Sequence, residues 1–143
     1  LQVIKKANEL KPNYSDGLSV QALILSEMND KGRALVLFDK AIMLEPKNSF
    51  ALNHKGLHFK THGNKDKARE CFELAIKVDP NFSIAHANLG DYYYDISKND
   101  KAIECFERAG QIYKLLQNWK EAAVLFEKWI FKLEYTNTKS SRF

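Results

Sequence analysis

Pro12, Pro46 and Pro80 stand 34 and 34 residues apart, and each closes a similar phrase: Ala7-Asn-Glu-Leu-Lys-Pro12, Ala41-Ile-Met-Leu-Glu-Pro46 and Ala75-Ile-Lys-Val-Asp-Pro80. Other residues keep the same step. Ala34, Ala68 and Ala102 do so, as do Phe38, Phe72 and Phe106, and Ala41, Ala75 and Ala109. Leu25, Phe59 and Tyr93 form another column, and Ala22, Gly56 and Gly90 a further one. Self-similarity at a fixed period of this length belongs to stacked supersecondary units, each burying its face against a neighbour. That constraint outweighs anything composition says.

Each column has a physical reading. Ala or Gly at 22, 56 and 90 lets two helices of a hairpin approach closely, and Ala34, Ala68 and Ala102 do the same from the facing helix. The large residues at 25, 59 and 93 and the three phenylalanines are expected to fill the space between them. A proline ring removes a backbone donor and clashes with the preceding turn, so each proline ends a second helix. Met28-Asn29-Asp30, Gly63-Asn64 and Ser97-Lys98-Asn99 break the hairpins in phase with one another.

A 34-residue helix–turn–helix with small, small and aromatic columns and a terminal proline resembles the tetratricopeptide repeat. The resemblance covers residues 15–48, 49–82 and 83–116, with residues 1–14 as the second helix of a truncated preceding repeat. It implies an all-α fold: a right-handed superhelical solenoid of antiparallel helix hairpins, with about three full repeats. The third repeat has Lys114 where its proline would stand, so its second helix is expected to run long, over 99–115. Residues 117–135 are expected to form a capping helix with an apolar face of Ala122, Leu125 or Phe126, Trp129, Ile130 and Leu133. Residues 136–143 read as a flexible tail. The stretch from Ala109 through Tyr113 and Trp119 to Ala123 is also similar to part of the SNAP membrane-fusion adaptors, which are helical-repeat proteins too.

Composition enters as a set of exclusions. The 143 residues are 45% apolar and 28% charged, which is the balance of a folded soluble chain. No apolar run approaches the roughly 20 residues that span a bilayer, so direct membrane insertion is not expected. The net charge of +4 is spread out, with acids interleaved among bases throughout. Without a basic stripe, nucleic acid is not the expected partner. Two cysteines make no disulfide framework and suggest a reducing, cytoplasmic setting. Cys71 and Cys105 share one repeat position, and equivalent positions on packed helices stand too far apart for a disulfide. Two free, mostly buried thiols are expected. The chain opens at Leu1 inside a helical pattern and is read as part of something longer.

Candidate chemistry is sparse. His54, His58 and His62 fall at i, i+4 and i+8 of one helix, a spacing at which two histidines can share a zinc ion. The glutamate of a metalloprotease helix is missing and no cysteine or carboxylate nearby completes a ligand set, so we read them as structural. No glycine-rich phosphate loop, triad pattern or paired carboxylates stand out. No catalytic residue, metal or cofactor is assigned.

What remains is a surface. In the resembled family the first helix of each hairpin lines a concave groove. By repeat position that implies Ser19, Leu23 and Ser26; Phe50, Asn53, Leu57 and Lys60; and Ile84, Ala87, Asn88, Asp91 and Tyr94. The candidate site is therefore Leu23, Phe50, Leu57, Ile84 and Tyr94 for apolar contact, with Asn53, Lys60, Asn88 and Asp91 for directional contacts, and the expected ligand is an extended or helical segment of a protein partner. Some members grip a chaperone's terminal carboxylate with Lys, Asn and Arg. Here those positions fall on Asn53, Leu57, Asn88, Glu104 and Arg108, or one repeat earlier on Ser19, Leu23, His54, Ile84 and Asn88, so such a clamp is not expected. A scaffold or adaptor is the leading expectation. The others are a recruiting arm of a larger enzyme, a SNAP-like trafficking adaptor, and self-association through the terminal helices.

Overall fold

The computed structural model describes residues 14–115, 124 and 126–132. The described residues are helical and include no strand. They run as α1 (Ser15–Glu27), α2 (Lys31–Leu44), α3 (Ser49–Thr61), α4 (Lys65–Val78), α5 (Ser83–Asp95) and α6 (Asn99–Leu115), and residues 126–132 are helical as well. Residues 1–13 of the helix expected over 1–14, most of 117–125 and the last three residues of the capping helix expected over 117–135, and the whole tail expected over 136–143, lie outside the described residues.

Local chemistry sets the helix ends. Among the described residues, Asn29, Gly63 and Ser97 have positive φ, at 63°, 83° and 61°, and they too are spaced by 34. Each follows the first helix of a hairpin. In each case the next backbone N–H reaches back to a carbonyl five residues earlier: Asp30 to Leu25 at 2.9 Å, Asn64 to Phe59 at 2.9 Å and Lys98 to Tyr93 at 2.8 Å. This left-handed termination satisfies the orphaned carbonyls, and only at Gly63 is the residue one that adopts it without cost. The following helices are then capped at once. Asp30, Asn48 and Asn64 each accept a backbone N–H from the residue three ahead, opening α2, α3 and α4.

The chain divides into two compact units, Leu1–Pro80 and Asn81–Phe143. In the first, α1 pairs with α2 and α3 with α4, and α3 also packs on α1 and α2. Its core joins Ala22, Leu25, Ala34 and Phe38 in one cluster and Leu18, Ala41 and Ala51 in another. Gly56 of α3 sits so close to α4 that a Cβ there would stand 2.5 Å from Phe72 Cε1. In the second unit α5 pairs with α6, and Gly90 faces Phe106 in the same manner. Phe126 lies over Gly110 of α6, leaving no room for a side chain there.

Two packing expectations need correction. Of the large residues at 25, 59 and 93, only Leu25 is buried. Phe59 and Tyr93 are half-buried beneath lysines, with Lys67 Nζ 5.4 Å from the Phe59 ring centre and Lys101 Nζ 5.3 Å from that of Tyr93. Their outer faces meet ammonium groups rather than core. On the terminal helix, Phe126 and Trp129 are partly buried, whereas Ile130 is 48% exposed and does not belong to the packed face.

Candidate functional site

The first unit is organised by a polar seam between α1 and α3 that helical periodicity alone does not predict. At one end Asn48 donates from Nδ2 to Ser15 Oγ (2.8 Å) and to Asp16 Oδ1 (2.7 Å), while its Oδ1 accepts from Ala51 N. Ser15 Oγ in turn donates to the Ala41 carbonyl at 2.8 Å, tying the end of α2 to the same knot. Midway along, Ser19 Oγ is 3.0 Å from His54 Nδ1. At the far end Ser26 Oγ is 2.7 Å from His58 Nδ1 and 3.3 Å from His62 Nε2. The His58 and His62 ring centres are 4.6 Å apart.

Ser19 and Ser26, expected on the open groove face, are therefore buried, at 0% and 4% exposure. Asn53 is buried as well, at 2%, which removes its side chain from the surface the groove reading requires. The reason is the way α1 and α3 meet. Ser15, Ser19 and Ser26 recur at four and seven residues along one face of α1, and this face packs on α3 rather than facing outward. His54, His58 and His62 each have a ring nitrogen facing a serine oxygen. Burial pushes the basicity of His54 down, partly countered by the Asp16 carboxylate. His58 is pushed down first by burial and then by His62, Lys31 and Lys55. Both imidazoles are held in the neutral form.

The other candidate residues fall as follows. Leu23 is half-buried and packs against the Ala22–Phe38 cluster. Phe50 is half-buried, its ring edge-on to His54 at 3.9 Å. Leu57 and Lys60 are half-buried on the same face of α3 as Phe50. In the second unit Ile84 is 42% exposed and Asn88 half-buried. Asp91 and Tyr94 are brought together by a residue that sequence reasoning missed. Lys132 Nζ donates to Asp91 Oδ1 at 2.6 Å and lies 4.6 Å from the Tyr94 ring centre and 5.8 Å from that of Phe106. Lys128 stands 4.0 Å from the other Asp91 oxygen. No sequence signal links Lys132 to Asp91, which lies 41 positions away.

Both thiols are free, Cys71 buried and Cys105 half-buried. Burial pushes Cys71 up and Cys105 up to about 11, with Glu104 adding to the effect at Cys105. Both are protonated near neutrality and are poor nucleophiles. Among the described residues no helix is long and apolar enough to cross a membrane.

Residues 51–82 and 84–109 match the tetratricopeptide repeat. Solved structures extend the likeness over most of the chain. The Sgt2 TPR domain from Aspergillus fumigatus shares 25% identity, covering 90% of this chain and 83% of that one, with a TM-score of 0.71. The TPR2B domain of yeast Sti1, solved as a complex with pHsp70, shares 15% identity over 85% of this chain and 97% of that one, with a TM-score of 0.75. The second TPR of Spaghetti (RPAP3), bound to the HSP90 peptide SRMEEVD, shares 17% identity over 75% and 98%, with a TM-score of 0.63. At those identities the last two establish the fold alone. No curated protein matches the sequence. The SNAP-like stretch finds no counterpart here, and its residues 116–123 lie outside those described.

Proposed function

We propose that this chain is a non-catalytic interaction module that holds a segment of a partner protein against the outward faces of α1 and α3, the first helices of the hairpins in its first unit. The observation that carries the reading is the α3 face, where Phe50, Leu57 and Lys60 stay partly accessible on a helix whose opposite side is locked to α1 and α4. A rigid helix presenting apolar side chains with one cation suits an extended or helical segment, because little of the protein's own freedom is lost on binding. One protein of the same fold was solved in complex with pHsp70 and another with the HSP90 peptide SRMEEVD, which supports a segment-holding role. The contacts assigned to Asn53 pass to its neighbours Leu57 and Lys60, since Asn53 is buried. Repeats at 15–48, 49–82 and 83–116 are the units of this module.

The test is affinity capture from the source cell's lysate with the wild type, Leu57→Glu, Tyr94→Glu and the double variant, each shown by circular dichroism to be folded. Partners bound by the wild type and lost with Leu57→Glu place the contact on α3. Retention of every partner by the folded double variant sinks the proposal. The sequence expectation that no carboxylate clamp is present has its own check, since SRMEEVD labelled for fluorescence anisotropy is expected not to bind.

A further inference from the structure

We propose that the serine–histidine seam between α1 and α3 is an acid-released latch: a packed interface that holds while its imidazoles are neutral and opens as they take up protons. The inference rests on where the groups stand and not on the peptide-holding role above.

Two features of the geometry carry it. The first is the shared hydroxyl. Ser26 Oγ faces both His58 Nδ1 and His62 Nε2, at 2.7 and 3.3 Å. A hydroxyl has one proton, so it donates to one of these nitrogens and accepts an N–H from the other. That arrangement needs at least one ring nitrogen without a proton. When both rings are cationic, both nitrogens donate, the serine proton loses its acceptor, and two positive charges sit 4.6 Å apart. The second feature is the surroundings. His58 is buried at 2% exposure beside the rings of Phe38 and Phe59, with centroids 5.8 and 5.6 Å away, so a charge there is poorly solvated.

The charged groups around the seam do little to offset this. From α1, Asp16 faces His54 but is itself engaged by Asn48. From α2 come Lys31, which disfavours a charge on His58, and Asp39, whose carboxylate is held by Lys55 at 2.7 Å. Lys55 of α3 adds positive potential at His58, as does His62, just past the end of α3, whenever it carries a proton. From α4, Lys67 lies over the neighbouring Phe59 and Cys71 is a protonated thiol. Among the described residues, one carboxylate acts on His54 and already accepts from Asn48, and each charge that acts on His58 disfavours its cation.

The sign follows from linkage. An imidazole whose basicity is lowered on folding binds fewer protons in the closed state than in the open one, so stability rises with pH across that interval. The stabilising contribution is fully present above about pH 6.5, the ordinary value for histidine, and is lost as pH falls below it. At pH 5.5, each histidine that must remain neutral to stay packed multiplies the open population by up to about ten.

Amide hydrogen exchange on the whole chain at pH 7.5 and 5.5, corrected for the intrinsic pH dependence of exchange, tests the latch. The expected result is a ten- to hundredfold rise in opening of α1 and the facing part of α3 at pH 5.5, with a smaller change in the α5–α6 hairpin. A rise in α1 below twofold, or one matched by α5–α6, overturns the proposal. The variant His54→Gln/His58→Gln keeps a polar partner for each serine but cannot be charged. It is expected to flatten the pH dependence, and retention of the wild-type dependence in this variant also overturns the latch. If the variant does not fold, the wild-type exchange profile decides alone.

Discussion

Positions one repeat apart carry opposite chemistry in the two units. Leu57 and Lys60 of α3 correspond to Asp91 and Tyr94 of α5. In the first unit this helix is joined to α1 by neutral hydroxyl–imidazole contacts, and its Leu57 and Lys60 remain half-exposed. In the second, the equivalent pair is held by Lys132, an ammonium clamped between a carboxylate and an aromatic face. One repeat frame therefore supports a buried seam that is sensitive to protons and an ion pair that is sensitive to salt. The backbone alternation specifies where helices stop; the residues on the facing sides decide what perturbs their packing.

The largest way to sharpen that contrast is to empty the two hairpins. Phe72→Ala is expected to cost about 3–5 kcal/mol in urea denaturation, as for a fully buried phenylalanine. Phe106→Ala should cost less, because Phe106 keeps some exposure while Phe72 has none. Equal losses would mean that the slight exposure of Phe106 does not matter to its packing. Next come the glycines. Gly56→Ala is expected to destabilise by about 1–3 kcal/mol through overpacking. Gly90→Ala should cost less, since its Cβ would meet Phe106 at 2.9 Å whereas that of Gly56 would meet Phe72 at 2.5 Å.

The electrostatic half of the comparison is smaller. Asp91→Asn is expected to cost about 1 kcal/mol at low ionic strength, between the values for exposed pairs and for hydrogen bonds to a desolvated charge. That cost should shrink in 1 M salt. Ser26→Ala, which breaks only neutral contacts, should show a cost that salt leaves unchanged. A salt-sensitive Ser26→Ala would mean that the seam is charged after all. Smallest, and opposite in sign, is Gly32→Ala on the exposed start of α2. Nothing lies within 4 Å of the added methyl, and the helix is expected to gain roughly 0.5–1 kcal/mol.

Much of the fold was legible before any coordinate. Pro46 and Pro80, the small residues at 22, 56 and 90 and the aromatic column at 38, 72 and 106 act through local backbone sterics and the contact between adjacent helices, both of which repeat with the chain. The turn residues did likewise, asparagine being the usual alternative to glycine at such a position, although a positive φ at Ser97 is not obvious from residue type. The candidate site was less legible. Placing a residue on the face of a helix is a matter of period; whether that face looks out or onto another helix depends on how two non-adjacent helices cross. Ser19, Ser26 and Asn53 were misplaced for that reason, and Ile130 for the same reason on the terminal helix.

By itself, then, the sequence determined that the chain is helical, that it turns every half-repeat, and which small and aromatic residues let paired helices touch, because those outcomes depend on interactions among near neighbours along the chain. Tertiary structure alone decided that His54 and His58 of α3 and His62 at its end meet serines of α1, and that Lys132 finds Asp91. Those partners are separated by between 32 and 41 residues, and their meeting is set by the packing of whole helices and not by any local preference.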